Sequence, residues 1–119
     1  MFTFPRSSPA PKPLSLTEVL AMAATGAITL LDVRELAEVQ ASGMAKGALH
    51  IPLALVPVRA DPTAPDRTAG LDTAKPVAVY CASGMRSGKA VAALQKLGYQ
   101  AHNIGGLSAW IAAGGAVSR

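Results

Sequence analysis

The chain has a single cysteine, and it stands in the segment Val77-Ala-Val-Tyr-Cys81-Ala-Ser-Gly-Met-Arg86-Ser-Gly-Lys-Ala. An apolar run gives way there to a turn of small residues and then to a helix-forming stretch, so Cys81 falls where a strand ends and a helix begins. Successive backbone N–H groups of Ala82, Ser83, Gly84, Met85, Arg86 and Ser87 can converge on one anion, reinforced by a helix dipole of roughly half a unit charge. Gly84 permits the backbone angles that such a turn needs. With the Arg86 guanidinium, this field is expected to lower the thiol from about 8.5 and to populate the thiolate near neutrality without a histidine. A lone cysteine is by default an inert buried hydrophobe. Cysteine at a strand end with arginine five positions later reverses that default and predicts a nucleophile.

The neighbouring polar groups have plainer readings. Ser83 and Ser87 either donate hydroxyl hydrogen bonds to the bound anion or cap the helix start. Met85 offers an apolar, adaptable rim. Asp32 and Arg34 either border the active site or, as the favoured reading, act as supporting residues whose ion pair or hydrogen bonds fix the loops at the strand ends. His50 and His102 lack metal-ligand spacing, so no metal is expected. Trp110 reads as a core anchor.

These residues need a frame, and the chain supplies an α/β pattern. Ser15 and Glu18 have capping-box spacing before an apolar helical face that stops at Gly26. Ile28 to Val33 reads as a buried strand, Glu35 to Ala41 as a short helix and Ala48 to Ile51 as a brief strand ended by Pro52. Leu53 to Lys75 is too long for a plain loop, which implies a helical turn or two that the sequence does not place. Pro76 to Tyr80 is the clearest central strand, Gly88 to Leu97 a helix, Ala101 to Ile104 the last strand, and Leu107 to Ala113 a closing helix. Strands alternating with helices imply parallel pairing with helices on both faces of the sheet, and ligands bind at the carboxyl ends of such strands.

At 119 residues the chain fits one core. Residues 1–13, with four prolines, read as a flexible arm, and residues 14–119 as the domain. A hydrophobic share of 50% with only 4% aromatics suits helices packed closely on a sheet. One cysteine allows no internal disulfide, and neither a leader nor a membrane-length apolar run is evident, so a cytoplasmic, membrane-free protein is expected. Every acidic residue precedes position 73, while Lys75, Arg86, Lys89, Lys96 and Arg119 follow it. Arg86, Lys89 and Lys96 either attract a small anion or form a solvated basic face. Without aromatics among the basic residues, nucleic-acid binding is not expected.

Four motifs in order resemble the rhodanese-like domains. Asp32-Val-Arg34-Glu35 is similar to the family's Asp-x-Arg-Glu. Gly43-Met-Ala-Lys-Gly47-Ala48-Leu-His-Ile51-Pro52 matches its Gly-His-Ile-x-Gly-Ala-x-x-Ile-Pro stretch, with Met44 in place of histidine. Cys81 to Ser87 matches the active-site loop, and Gly105-Gly106-Leu107 with Trp110 the closing Gly-Gly-x-x-x-Trp element. The resemblance runs from about Leu14 to Gly115 and departs most in the proline-rich Leu53 to Lys75 segment. It implies a three-layer fold with a mostly parallel sheet of about five strands. It also implies a sulfurtransferase that carries sulfur as a Cys81 persulfide without a cofactor. The donor would be a small sulfur anion such as thiosulfate, and the acceptor an external thiol, a partner protein or cyanide. A monomer is expected.

Two rivals follow from the same resemblance. One is a non-catalytic rhodanese-like binding module, which retention of Cys81, Gly84 and Arg86 argues against. The other is a phosphatase or arsenate-reductase relative. Those relatives have one more residue in the loop than the four between Cys81 and Arg86, giving a wider cradle.

Overall fold

The structure, a computed structural model, describes residues 12–119, so residues 1–11 of the expected arm lie outside the described residues. Helix α1 (Leu16–Ala24) opens with the capping box that its spacing predicts. The Glu18 N–H donates to Ser15 Oγ at 3.1 Å and the Ser15 N–H donates to Glu18 Oε1 at 3.0 Å. Strand β1 (Thr29–Asp32), helix α2 (Leu36–Ser42) and the short strands β2 (Met44–Ala45) and β3 (Leu49–His50) follow. A 3-10 turn (Leu53–Leu55) and helix α3 (Val56–Arg59) are the helical turns hidden in the proline-rich segment. Pro57 sits in the first turn of α3, where its missing N–H has no intrahelical partner to lose. Strand β4 (Val77–Cys81), helix α4 (Met85–Lys96), strand β5 (Ala101–Gly106), helix α5 (Leu107–Ala112) and strand β6 (Val117–Ser118) complete the chain.

The central sheet has the order β3-β1-β4-β5 and every pairing in it is parallel. It contains four strands, against the expected five or so. The remaining two strands form a separate antiparallel pair in which Met44 and Ala45 face Ser118 and Val117. Two-residue strands carry no legible alternation, so the pair leaves no pattern in the sequence.

Strand pleating sorts the core into two layers. Val77, Val79 and Cys81 join Leu31, Val33, Val56, Ala90 and Leu94 on the face covered by α3 and α4. Ala78 and Tyr80 join Val19, Leu30, Ile104, Leu107 and Trp110 on the face covered by α1 and α5. All five residues of β4 are buried, which is why its sequence reads as an unbroken apolar run. Each fully buried valine or leucine contributes roughly 1.5–3 kcal/mol. The Tyr99 hydroxyl donates to the Ala60 carbonyl at 2.6 Å, tying the end of α3 to the chain entering β5. None of the helices described is long and apolar enough to cross a membrane.

Candidate active site

Because Cys81 is the last residue of β4 and shares the pleat of Val77 and Val79, its side chain points to the α4 face at the carboxyl edge of the sheet. The chain then turns through Ala82 and Ser83 to Gly84, whose φ of 101° is a left-handed conformation that favours glycine. That turn brings the Gly84 N–H back onto Cys81 Sγ at 3.0 Å. Helix α4 starts at Met85, three residues earlier than its apolar pattern suggested, and so its first turn belongs to the loop.

Ser87 in that first turn is fully buried, and its Oγ lies 3.4 Å from Cys81 Sγ. The same oxygen lies 2.8 Å from Asn103 Oδ1. One hydroxyl proton serves two acceptors. Donated to Asn103, it leaves the Ser87 lone pairs to accept the Cys81 S–H; with a thiolate at Cys81, it is drawn to the sulfur. Burial pushes the Cys81 thiol up, but the Ser87 hydroxyl and the amides of Ser87, Gly84 and Ser83 outweigh it and bring the thiol down to about 7.

Asn103 was not singled out by the sequence, yet it holds this arrangement together. Its Nδ2 donates to the Gly84 carbonyl at 2.9 Å, while Oδ1 accepts from the Gly105 N–H at 3.0 Å and from Ser87. One amide side chain on β5 thus links the turn, the helix start and the Gly105-Gly106 corner. Its only sequence signal is its place two residues before that glycine pair. Gly106 has a steric role: a Cβ there would lie 2.1 Å from the Ala82 carbonyl oxygen. The last residue of β5 therefore packs directly under the turn that follows Cys81.

The remaining loop residues divide. Ala82 and Ser83 are exposed and Met85 is 77% exposed, forming a rim above the fully enclosed Cys81. Arg86 departs from expectation. Its Nη1 and Nη2 donate to the two carboxylate oxygens of Glu38 on α2, at 2.5 and 2.9 Å. The hydrogen bond from Arg86 holds Glu38 down at about 2. The fork is therefore committed to a carboxylate, and the groups that lower Cys81 most are Ser87 and the loop amides, with the Arg86 charge still interacting with the Cys81 thiolate. No spacing links positions 38 and 86, so this pair was not legible in the sequence.

Asp32 and Arg34 lie elsewhere. Asp32 is level with Tyr80 in the sheet register, and the Arg34 guanidinium lies over the Tyr80 ring at 5.8 Å from its centroid, on the face opposite Cys81. Asp32 is fully buried and Arg34 nearly so. Arg34 Nη2 donates to Asp32 Oδ2 at 2.7 Å and to the Gly43 carbonyl at 2.6 Å, and Nη1 donates to Ser42 Oγ at 2.7 Å. The pair ties the end of β1 to the end of α2, which carries Glu38. His50 Nε2 lies 2.7 Å from the Arg34 carbonyl, and among the described residues no group of three or more His, Cys, Asp or Glu could hold a metal. Trp110 is buried, with Nε1 donating to the Ala116 carbonyl at 2.8 Å.

Comparison with known proteins agrees with this fold. Residues 15–113 match the model of the rhodanese-like domain. The chain is 38% identical over 91 residues to a sulfurtransferase of Allochromatium vinosum, a match spanning 75% of this chain and 77% of that protein. Its fold is similar to a protein of unknown function from Rhodopseudomonas palustris, described as a possible tyrosine phosphatase, with a TM-score of 0.76 at 28% identity over 90% of this chain and 84% of that one. It is also similar to a rhodanese-related protein of Thermoplasma volcanium, with a TM-score of 0.69 at 28% identity over 91% and 98% of the two chains. A rhodanese-like domain protein of Staphylococcus aureus gives 0.67 at 26% identity over 92% and 100%.

Proposed function

The chain belongs to the rhodanese-like domain family, and on that premise we propose that it is a sulfurtransferase that moves sulfane sulfur through a persulfide on Cys81. The observation that carries the reading is the position of the sole cysteine. Its Sγ accepts from the Gly84 N–H at 3.0 Å beside the Ser87 hydroxyl, and its thiol sits at about 7. About half the molecules then carry a thiolate at neutral pH. A thiolate, unlike a thiol, attacks sulfane sulfur.

In the first step the Cys81 thiolate attacks the outer sulfur of thiosulfate. A Cys81 S–S bond forms, the S–S bond of thiosulfate breaks, and sulfite leaves with the electron pair. The product is the anionic persulfide, with total charge conserved. In this reading the loop N–H groups and Ser87 that serve the thiolate also stabilise the charge displaced onto the outer sulfur. In the second step an external thiolate or cyanide attacks that outer sulfur and releases the Cys81 thiolate. A second cysteine is absent from the chain, so no internal thiol can resolve the persulfide.

The same geometry weighs against phosphate chemistry. Cys81 is fully enclosed, and the Arg86 fork that would clamp a tetrahedral oxyanion is occupied by Glu38. A narrow sulfane sulfur demands less opening of the rim than a phosphoryl group. Steady-state assay separates the readings: thiosulfate-to-cyanide transfer lost in Cys81→Ser is the expected result. Turnover of an aryl phosphate exceeding sulfur transfer contradicts it.

A further inference from the structure

Resting on the sulfur-transfer reading, we propose that the groove between α3 and α4 docks an acidic segment of a protein acceptor. The segment would place an apolar side chain between Lys89 and Lys96 and bring its cysteine to the Cys81 loop.

A groove of about 550 Å³ lies between the two helices, lined by Pro57 of α3 and by Lys89, Ala92, Ala93, Lys96 and Leu97 of α4. That volume accommodates one or two large apolar side chains. Its floor is alanine, proline and leucine, while two lysines stand at its rim. Neither helix carries any acidic residue: α3 reads Val-Pro-Val-Arg and α4 reads Met-Arg-Ser-Gly-Lys-Ala-Val-Ala-Ala-Leu-Gln-Lys. Among the described residues neither lysine has a carboxylate within salt-bridge distance, whereas Arg86 on the same helix is paired. Two further apolar side chains are exposed in the same segment of chain as Pro57, Val58 at 55% and Leu55 at 40%.

Position gives this patch its meaning. Lys89 lies four residues, just over one helical turn, beyond Met85, the 77% exposed residue of the active-site rim, so the groove begins about 6 Å along the helix axis from the loop. Cys81 is the sole thiol of this chain, so a thiol acceptor lies outside it. An approaching protein would meet a positive face with an apolar floor, complementary to leucine-type anchors flanked by Asp or Glu. A small thiol would not need the groove, so the groove distinguishes protein acceptors from small ones.

The probe is a short helical peptide with leucines flanked by glutamates and a terminal cysteine, beside a control with lysines replacing the glutamates. Binding is read by fluorescence anisotropy on the Cys81→Ser chain. Discharge is read by mass on the persulfide-loaded wild type, with uncharged dithiothreitol as the small acceptor. The acidic peptide is expected to bind, to lose affinity with added salt and to discharge the persulfide faster than the basic control. Lys89→Glu with Lys96→Glu is expected to weaken binding about tenfold, leaving discharge to dithiothreitol unchanged. Equal behaviour of the two peptides, or of the doubly substituted and parent chains, overturns the proposal. So does concentration-dependent dimerisation through this face that excludes the peptide. Failure of wild type to load sulfur at all counts against the sulfur-transfer reading, while the binding arm still decides the groove.

Discussion

Substituting Ser87→Ala separates the hydroxyl from the amides in setting the reactivity of Cys81. The parent thiol is half-ionised at about 7, with Ser87 Oγ 3.4 Å from the sulfur and three loop amides directed at it. A hydrogen bond to a charged group contributes about 1.5–3 kcal/mol, and the neutral thiol retains part of that contact. A differential loss of about 1.4 kcal/mol moves the midpoint up by about one pH unit. The thiolate fraction at neutral pH then falls from about half to about a tenth, and sulfur uptake slows about fivefold. Ultraviolet absorbance of the thiolate, titrated against Cys81→Ser, reads the midpoint directly because the chain has one cysteine. The tyrosines do not intrude, since burial raises both Tyr80 and Tyr99 above their ordinary values. Ser87→Thr, which keeps a hydroxyl, is the rescue. An unshifted midpoint in Ser87→Ala, or a parent midpoint near 8.5, refutes the assignment of the field to Ser87 and the amides.

Other expectations follow from the same geometry. Asn103→Ala frees the turn from the Gly105 corner, and the thiol midpoint is expected to rise with the loop amides exchanging faster by hydrogen-exchange mass spectrometry. Gly106→Ala forces a Cβ within 2.1 Å of the Ala82 carbonyl, so sulfur uptake is expected to drop at least tenfold while circular dichroism stays that of a folded chain. Asp32→Asn breaks a buried pair on the far face and is expected to cost about 3–5 kcal/mol in urea unfolding without moving the Cys81 midpoint. Glu38 is held at about 2, below its unfolded value of about 4.3, so its contribution is present above pH 4.3 and lost as pH falls toward 2. Because the pair is partly exposed, Glu38→Gln is expected to remove only about 0.2–1 kcal/mol at neutral pH, and to flatten the acid limb of the stability curve.

Much of this site could be read in the sequence because it is local. A strand, a turn of small residues and a helix occupy consecutive positions, so the placement of Cys81 at the strand end and of Gly84 in the turn is legible locally, while the helix start, and with it Ser87 in the first turn of α4, lay three residues earlier than the apolar pattern indicated. The capping box at Ser15 and the apolar run of β4 are equally local, and the structure contains both. What escaped was what depends on distant pairing. Asn103 reaches Gly84 across 19 positions and Glu38 reaches Arg86 across 48. Neither has a periodic signature, and each requires the fold before it can be seen. The Arg86–Glu38 pair also reweighted the electrostatic argument: Arg86 still interacts with the Cys81 thiolate, but its fork is held by Glu38 and the larger lowering comes from Ser87 and the loop amides. The β2–β6 pair was invisible because two residues are too few to alternate.

Intact-mass measurement after thiosulfate treatment tests the central claim most directly. The native chain is expected to gain one sulfur atom, to lose it again on adding cyanide or a thiol, and to gain nothing as Cys81→Ser. A chain that takes up no sulfur from thiosulfate or any other sulfane donor, or whose Cys81→Ser form still does, contradicts the account.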